Sequence, residues 1–155
     1  HIGRVNQIAN QMKGFKLNTI LRSSKNKKLK NIDIFIVDTF GESKKFYKIA
    51  TTVFLGKSII KKEDLASLGG GGQNPLEPAR FGAKILHGPN VDNFKEVYEY
   101  LNSLKISSKV NSEIECANLT IFKKNMKKVK KMEALGRTIL KKTLKELDKS
   151  INNEI

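Results

Sequence analysis

Gly69-Gly70-Gly71-Gly72-Gln73-Asn74-Pro75-Leu76-Glu77-Pro78-Ala79 is the stretch on which the fold of this chain turns. A β-type segment, Thr52-Val53-Phe54-Leu55, lies upstream, and the pattern predicts a helix that opens at Pro75. Glycine has no Cβ and tolerates φ > 0, so such a run lets backbone approach a ligand closely. A helix that starts directly after it points unpaired N–H groups and a partial positive charge at whatever sits there, which is how a chain holds phosphate. Two residues into that helix stands Glu77, suited to accept hydrogen bonds from a sugar diol. Phosphate plus ribose points to a nucleotide.

Capping competes with this explanation. Asn is a good N-cap, Pro suits the first helical position, and Glu77 completes a capping box. Thr39-Phe40-Gly41-Glu42 repeats the arrangement, with a Thr cap and a Glu at the third helical position, after the apolar run Ile32 to Val37. Capping does not require four consecutive glycines, which cost conformational entropy.

Working outward, strand and helix patterns alternate. Residues 3–14 place Val5, Ile8, Ala9 and Met12 at helical spacing. Short strands are expected at Asn18 to Leu21, Ile32 to Val37, Thr52 to Leu55, Lys84 to His87 and Ile106 to Val110. Helices are expected at Glu42 to Ala50, Pro75 to Gly82 and Asn93 to Leu104, the last with Phe94, Val97, Tyr98 and Leu101 on one face. Ser23 to Asn31 reads as a basic loop. From Ser112 onward the pattern is helical, with a break around Asn125 to Lys131 and another near Gly136. Such alternation predicts an α/β fold, a Rossmann-like parallel sheet flanked by helices. Ligands of such sheets bind beyond the C-terminal strand ends, which places Asp38–Glu42, Gly56–Glu77 and Gly88–Phe94 on one rim.

The chain has 155 residues, enough for one domain with its own core. It begins with His1 rather than Met and reads as a fragment or processed product. One thiol, Cys116, cannot form an internal disulfide, and it reads as inert core in a reducing compartment. No apolar run approaches the length of a membrane span. Thirty Lys and Arg against fifteen Asp and Glu give a formal charge of +15, which attracts anions. The excess gathers at Lys25, Lys27, Lys28 and Lys30, and again from Lys123 and Lys124 through Lys127, Lys128, Lys130, Lys131, Arg137, Lys141, Lys142, Lys145 and Lys149. These clusters are almost pure lysine and Trp is absent, which favours an anionic lipid surface, or a solvated surface with no partner, over sequence-reading of nucleic acid.

Gly56-Lys57-Ser58 resembles the end of an ATP-binding P-loop, but Thr51 stands where that motif needs glycine. No G-x-G-x-x-G dinucleotide fingerprint is present. His1, His87 and Cys116 have no metal-ligand spacing, so no metal site is expected.

Asp38-Thr39-Phe40-Gly41-Glu42, Val53-Phe54-Leu55-Gly56-Lys57-Ser58, Gly71 to Ala79, Gly88-Pro89 and Asn93-Phe94 follow one another in a known order. Together with His1-Ile2-Gly3-Arg4 they resemble the C-terminal half of the bacterial 3-deoxy-D-manno-octulosonic acid (Kdo) transferases, over residues 1 to about 110. The chain departs from that pattern at Lys57, at Gln73 and in the length between Ser58 and Gly71. The resemblance implies the C-terminal domain of a GT-B glycosyltransferase over 1–155, with a basic helical tail over 125–155. It further implies the donor substrate CMP-Kdo, no separate cofactor, and a lipid A precursor as acceptor in lipopolysaccharide biosynthesis. Its setting would be the cytoplasmic face of the bacterial inner membrane, with this domain itself soluble.

By motif match, Phe40, Gly41 and Glu42 are expected near the cytosine, Asn74, Pro75 and Leu76 near the phosphate, and Glu77 on the ribose hydroxyls. The family's catalytic base is a glutamate of its N-terminal domain. No catalytic residue is therefore assigned here, and the chain by itself is expected to be inactive. The alternatives are a GT-B transferase or epimerase that uses a UDP- or GDP-sugar, and a basic module that binds nucleic acid or membrane on a Rossmann-like scaffold.

Overall fold

A computed structural model describes residues 2–24, 30–59, 71–119 and 126–153. Gly69, Gly70, Lys25, Lys27, Lys28, Lys123 and Lys124 lie outside the described residues. The chain divides into two compact units, His1–Ser43 and Lys44–Ile155.

In the first unit a 3-10 turn, Ile2–Arg4, runs into helix α1, Val5–Gly14. The helix ends where Lys16 takes a positive φ of 59°, and Leu17 N–H closes back on Met12 O at 3.3 Å. Strands β1 (Thr19–Leu21) and β2 (Ile34–Ile36) then pair in parallel, Thr19 beside Ile34 and Leu21 beside Ile36. Both come from apolar, β-branched runs that suit a pleated surface. Polar links flank the ladder: Asp33 accepts Asn18 N–H at 2.8 Å, and Asp38 accepts Ser23 N–H at 2.9 Å. None of the described residues of this unit is buried.

The second unit holds the core. Helix α2 (Ser43–Ile49) leads to β3 (Thr52–Leu55) and a 3-10 turn, Gly56–Ile59. Helix α3 (Leu76–Arg80) precedes β4 (Lys84–His87). Helix α4 (Lys95–Ser103) follows a 3-10 turn at Asp92–Phe94 and precedes β5 (Ser107–Lys109). Helices α5 (Glu113–Leu119) and α6 (Met126–Asn153) complete the chain. The order β3-β4-β5 is parallel throughout, with Leu55 opposite His87 and His87 opposite Lys109.

The central strand β4 is buried at all four positions, as expected of a parallel strand covered on both faces. Ile85 packs with Leu55, Ala79, Ala83, Tyr98, Leu101, Ile106 and Met132. The apolar face expected of the helix around Phe94 to Leu101 is the face that meets this cluster. Even Lys84 is accommodated: its Nζ donates to Ser107 O at 3.0 Å, so its stem crosses the core while the charge finds a carbonyl.

Two expectations are corrected. Helix α6 runs without a break from Met126 to Asn153, through both Lys131 and Gly136, while Asn125, where the first break was expected to begin, lies outside the described residues. A single mid-helix glycine costs about 1 kcal/mol, too little to stop a helix whose first turns are anchored by buried Val129 and Met132. Cys116 is half-buried rather than core, and it lines an apolar cavity of about 680 Å³ with Phe54, Ile59, Pro89 and Val110.

Candidate functional site

The loops that follow β3 and β4 meet at the C-terminal end of the sheet in the second unit. Ser58 is the knot between them. Its hydroxyl donates to Leu55 O and accepts Gly88 N–H at 2.7 Å, and its carbonyl accepts Asn90 N–H at 2.9 Å. Asn93 N–H in turn donates to Gly71 O at 3.3 Å, and Tyr98 OH donates to Gln73 O at 2.9 Å. Burial pushes the Tyr98 phenol up to about 12, against the lowering effect of that same hydrogen bond. Its ring lies 4.3 Å from that of His87. His87, whose Nδ1 lies 2.7 Å from Gly88 O, is held below its ordinary value by burial, with Lys109 and Lys84 adding to the depression.

Gly71 and Gly72, the two described glycines of the run, do a different job from the one expected. Gly71 and Gly72 are buried. A Cβ on Gly71 would stand 2.9 Å from Asn90 O, and one on Gly72 would stand 3.0 Å from Val91 Cα, at a φ of +85°. They let the loop lie against the protein's own Asn90–Val91 backbone, and neither lines the cleft described next.

The turn at Asn74–Glu77 also differs in detail. Asn74 Oδ1 accepts Leu76 N–H at 3.0 Å, and Pro75, buried, takes the N-cap position itself. No capping box closes there, since the cap makes no side-chain hydrogen bond. Pro75 and Pro78 carry no N–H, and Ala79 N–H donates to Pro75 O at 3.2 Å. Glu77 N–H, like Asn74 N–H, then has no acceptor among the described residues. A helix of five residues has few aligned peptide dipoles, so its N-terminus alone is a weak anion holder.

What the turn does supply is one wall of a cleft. Asn74, Leu76, Glu77 and Arg80 line a hollow of about 720 Å³ with Lys44 from α2 and Met132, Glu133, Gly136, Arg137 and Leu140 from α6. Lys44, Arg80 and Arg137 have no ion-pair partner among the described residues. Beside the cleft wall Tyr47 is raised by burial and by the Glu77 charge, and its ring centroid lies 6.5 Å from that of Phe81. The cleft therefore sets a carboxylate that can accept from hydroxyls among three cations that can hold a phosphate or carboxylate. Sequence reasoning missed Lys44 and Arg80, and it counted Arg137 with the tail; the available signal was Arg80 three residues after Glu77, on the same helical face.

Phe40, Gly41 and Glu42 belong to the first unit. Helix α2 begins only at Ser43, so Glu42 precedes it and the expected Thr39 cap does not form. Instead Thr39 Oγ1 donates to the Glu42 carboxylate, which also receives Arg22 Nε at 3.1 Å and Arg22 Nη2 at 3.2 Å. Gly41 turns the chain at φ +78°. Phe40 stands 85% exposed on that turn. The carboxylate fixes the turn, and the ring offers an open face on which a planar group can stack.

No family model matches the chain. Among curated proteins it resembles 3-deoxy-D-manno-octulosonic acid transferases. That of Haemophilus influenzae is 31% identical over 112 residues, 72% of this chain and 24% of that protein. That of Rickettsia prowazekii is 32% identical over 97 residues, 63% of this chain and 19% of that protein. That of Aquifex aeolicus is 26% identical over 115 residues, 74% and 30% respectively. The matched part of the chain thus spans between 19% and 30% of the length of these relatives. Among solved structures, the C-terminal CMP-Kdo binding domain of WaaA from Acinetobacter baumannii has the same fold, with a TM-score of 0.67 at 19% identity, covering 88% of this chain and 65% of that one. In sequence the chain is similar to part of the Kdo transferases, and in fold it matches a C-terminal domain.

Proposed function

We propose that this chain binds the nucleotide part of CMP-Kdo and serves as the donor-binding domain of a Kdo transferase. The observation that carries this reading is the cleft at Asn74–Glu77, where two carboxylates, Glu77 and Glu133, and three unmatched cations line the same hollow. Glu77 accepts from the ribose hydroxyls. Arg80, Arg137 and Lys44 hold the donor's anionic groups and stabilise the negative charge that grows on the departing phosphate. Within its own unit Phe40 presents an open stacking face, and the Arg22–Glu42 clamp holds its turn in place. The similarity to Kdo transferases and the fold shared with a CMP-Kdo binding domain support the choice of base and sugar.

The donor is the substrate, and no further cofactor is assigned. In the whole enzyme an acceptor hydroxyl of a lipid A precursor attacks the donor at the cytoplasmic face of the inner membrane, and a separate N-terminal domain supplies the base. Neither Glu42, which is clamped, nor Glu77, which is assigned to the ribose, is given that role. Calorimetric titration with CMP, UMP and GMP tests the reading. CMP should bind with millimolar or better affinity and at least tenfold more tightly than the other two. Equal binding of all three, or none at all, would overturn it.

A further inference from the structure

Helix α6 brings an acid to the donor cleft as well as a cation. Over the twenty positions from Met126 to Lys145, Glu133 is the one acid against eight basic residues. That acid stands on the face that Glu133, Gly136, Arg137 and Leu140 turn to the hollow, since positions three and four apart share one side of a helix. A glutamate one turn before an arginine is well placed to pair with it along the helix. No such ion pair forms among the described residues, and the Glu133 carboxylate stays unpartnered on the cleft wall. Gly136 keeps the same wall low. A Cβ there would meet nothing within 4 Å, so packing does not demand glycine, and a large side chain at this position would enter the hollow.

On the donor reading, on which this role rests, the nucleotide lies in the cleft, and we infer that Glu133 limits the charge it can carry: the cleft admits a nucleotide with one phosphate and disfavours a second and a third. Three cations against two carboxylates leave one net positive charge in the hollow. The Cβ atoms of residues four apart on a helix lie about 5–6 Å from each other, so a phosphate drawn to Arg137 is within short range of the Glu133 carboxylate and is repelled by it. At about 7 Å in water-like surroundings, each unit of ligand charge then weakens binding about threefold. A monophosphate carries about two charges near neutral pH, and every added phosphate brings more, so the handicap grows along the series. The backbone provides no cradle to offset it. Gly71 and Gly72 pack against Asn90–Val91 and do not line the hollow. Helix α3 has five residues, and Pro75 at its cap and Pro78 within it have no N–H to give a phosphate. A glutamate that served only as a solvated helix residue would leave the choice between nucleotides independent of its charge.

Calorimetric titrations of the full chain with CMP, CDP and CTP, at low salt and with divalent cations chelated, test this role. Glu133→Gln should raise the affinity for CDP relative to CMP about threefold, and that for CTP relative to CMP by up to about tenfold. Glu133→Lys should raise both ratios further, and Glu133→Asp should keep those of the parent. The gains should fade at about 0.5 M salt, where charges are screened within a few ångström. The thermal midpoint of Glu133→Gln should not move, because the position is exposed and both residues are good helix formers. Gly136→Leu, a change that favours the helix and fills the hollow, separates this role from the donor reading. If Gly136→Leu leaves nucleotide binding intact, or if no nucleotide binds the parent chain, the donor reading fails and the role of Glu133 falls with it. If Gly136→Leu blocks binding while the CDP/CMP and CTP/CMP ratios are the same in the parent, Glu133→Gln and Glu133→Lys, the donor reading stands and the role of Glu133 alone is overturned.

Discussion

Arg22 holds both carboxylate oxygens of Glu42, with Nε 3.1 Å from Oε2 and Nη2 3.2 Å from Oε1. Twenty residues separate the pair in sequence, and the clamp joins the end of β1 to the turn that carries Phe40. The Glu42 side chain is 15% exposed, so this is a charge-assisted, two-pronged contact on the edge of solvent, stronger than an open surface pair.

Removing it should loosen the turn without unfolding the second unit. Arg22→Ala is expected to cost about 1–2 kcal/mol of local stability. The NMR resonances of Phe40 and Gly41 should broaden or shift while those of β4 stay put. Arg22→Glu with Glu42→Arg should recover part of the loss. Unchanged Phe40 and Gly41 resonances in Arg22→Ala would show that the turn holds without the clamp.

Glu77 and the ribose can be tested by chemistry on both partners. Glu77→Gln should lower CMP affinity by about tenfold, the loss of roughly one charge-assisted hydrogen bond. The same substitution should change the binding of 2′-deoxy-CMP much less, since its hydroxyl partner is already gone. Equal losses for both nucleotides would assign Glu77 to some other group.

The rim loops should tolerate little. Gly72→Ala would need a Cβ 3.0 Å from Val91 Cα at φ +85°, and Ser58→Ala would leave Gly88 N–H and Leu55 O without their hydroxyl partner in a buried place. Each is expected to cost about 1–3 kcal/mol, lowering the thermal midpoint by several degrees. A midpoint within a degree of the parent for both would mean that the loops repack freely.

The pH dependence of stability follows from two buried rings. His87 is held below its ordinary value, so its contribution is complete above the unfolded value of 6.5 and is lost as pH falls towards the folded one. Tyr98 is raised from 10.0 to about 12, so its contribution is complete below 10.0 and is lost as pH rises through about 12. Denaturant midpoints should therefore be highest between these limits. The Tyr98→Phe variant should show a weaker fall on the alkaline side.

The sequence carried the elements well and the long-range contacts poorly. β3 and β4 stand at the expected residues, Thr52–Leu55 and Lys84–His87, because apolar runs bounded by turn residues are a local signal. The helix around Tyr98 and Leu101 was legible for the same reason. The meaning of Gly71 and Gly72 was not, because the backbone they accommodate, Asn90–Val91, is about twenty residues away in sequence and close only in the fold. The Arg22 partner of Glu42 was hidden in the same way. The cleft cations come from three helices, α2, α3 and α6, and no spacing rule links residue 44 to residue 137. Gly136 invited a break because glycine is a poor helix former, yet the residues around it are good ones and the helix continues.

The absence of any buried residue among the described part of His1–Ser43 separates the two units in how they resist cutting. A short dose of trypsin should trim the basic first forty or so residues early and leave a resistant remnant built on β3, β4 and β5. The slowest-exchanging amides of the molecule should then be those of Ile85 and Leu86.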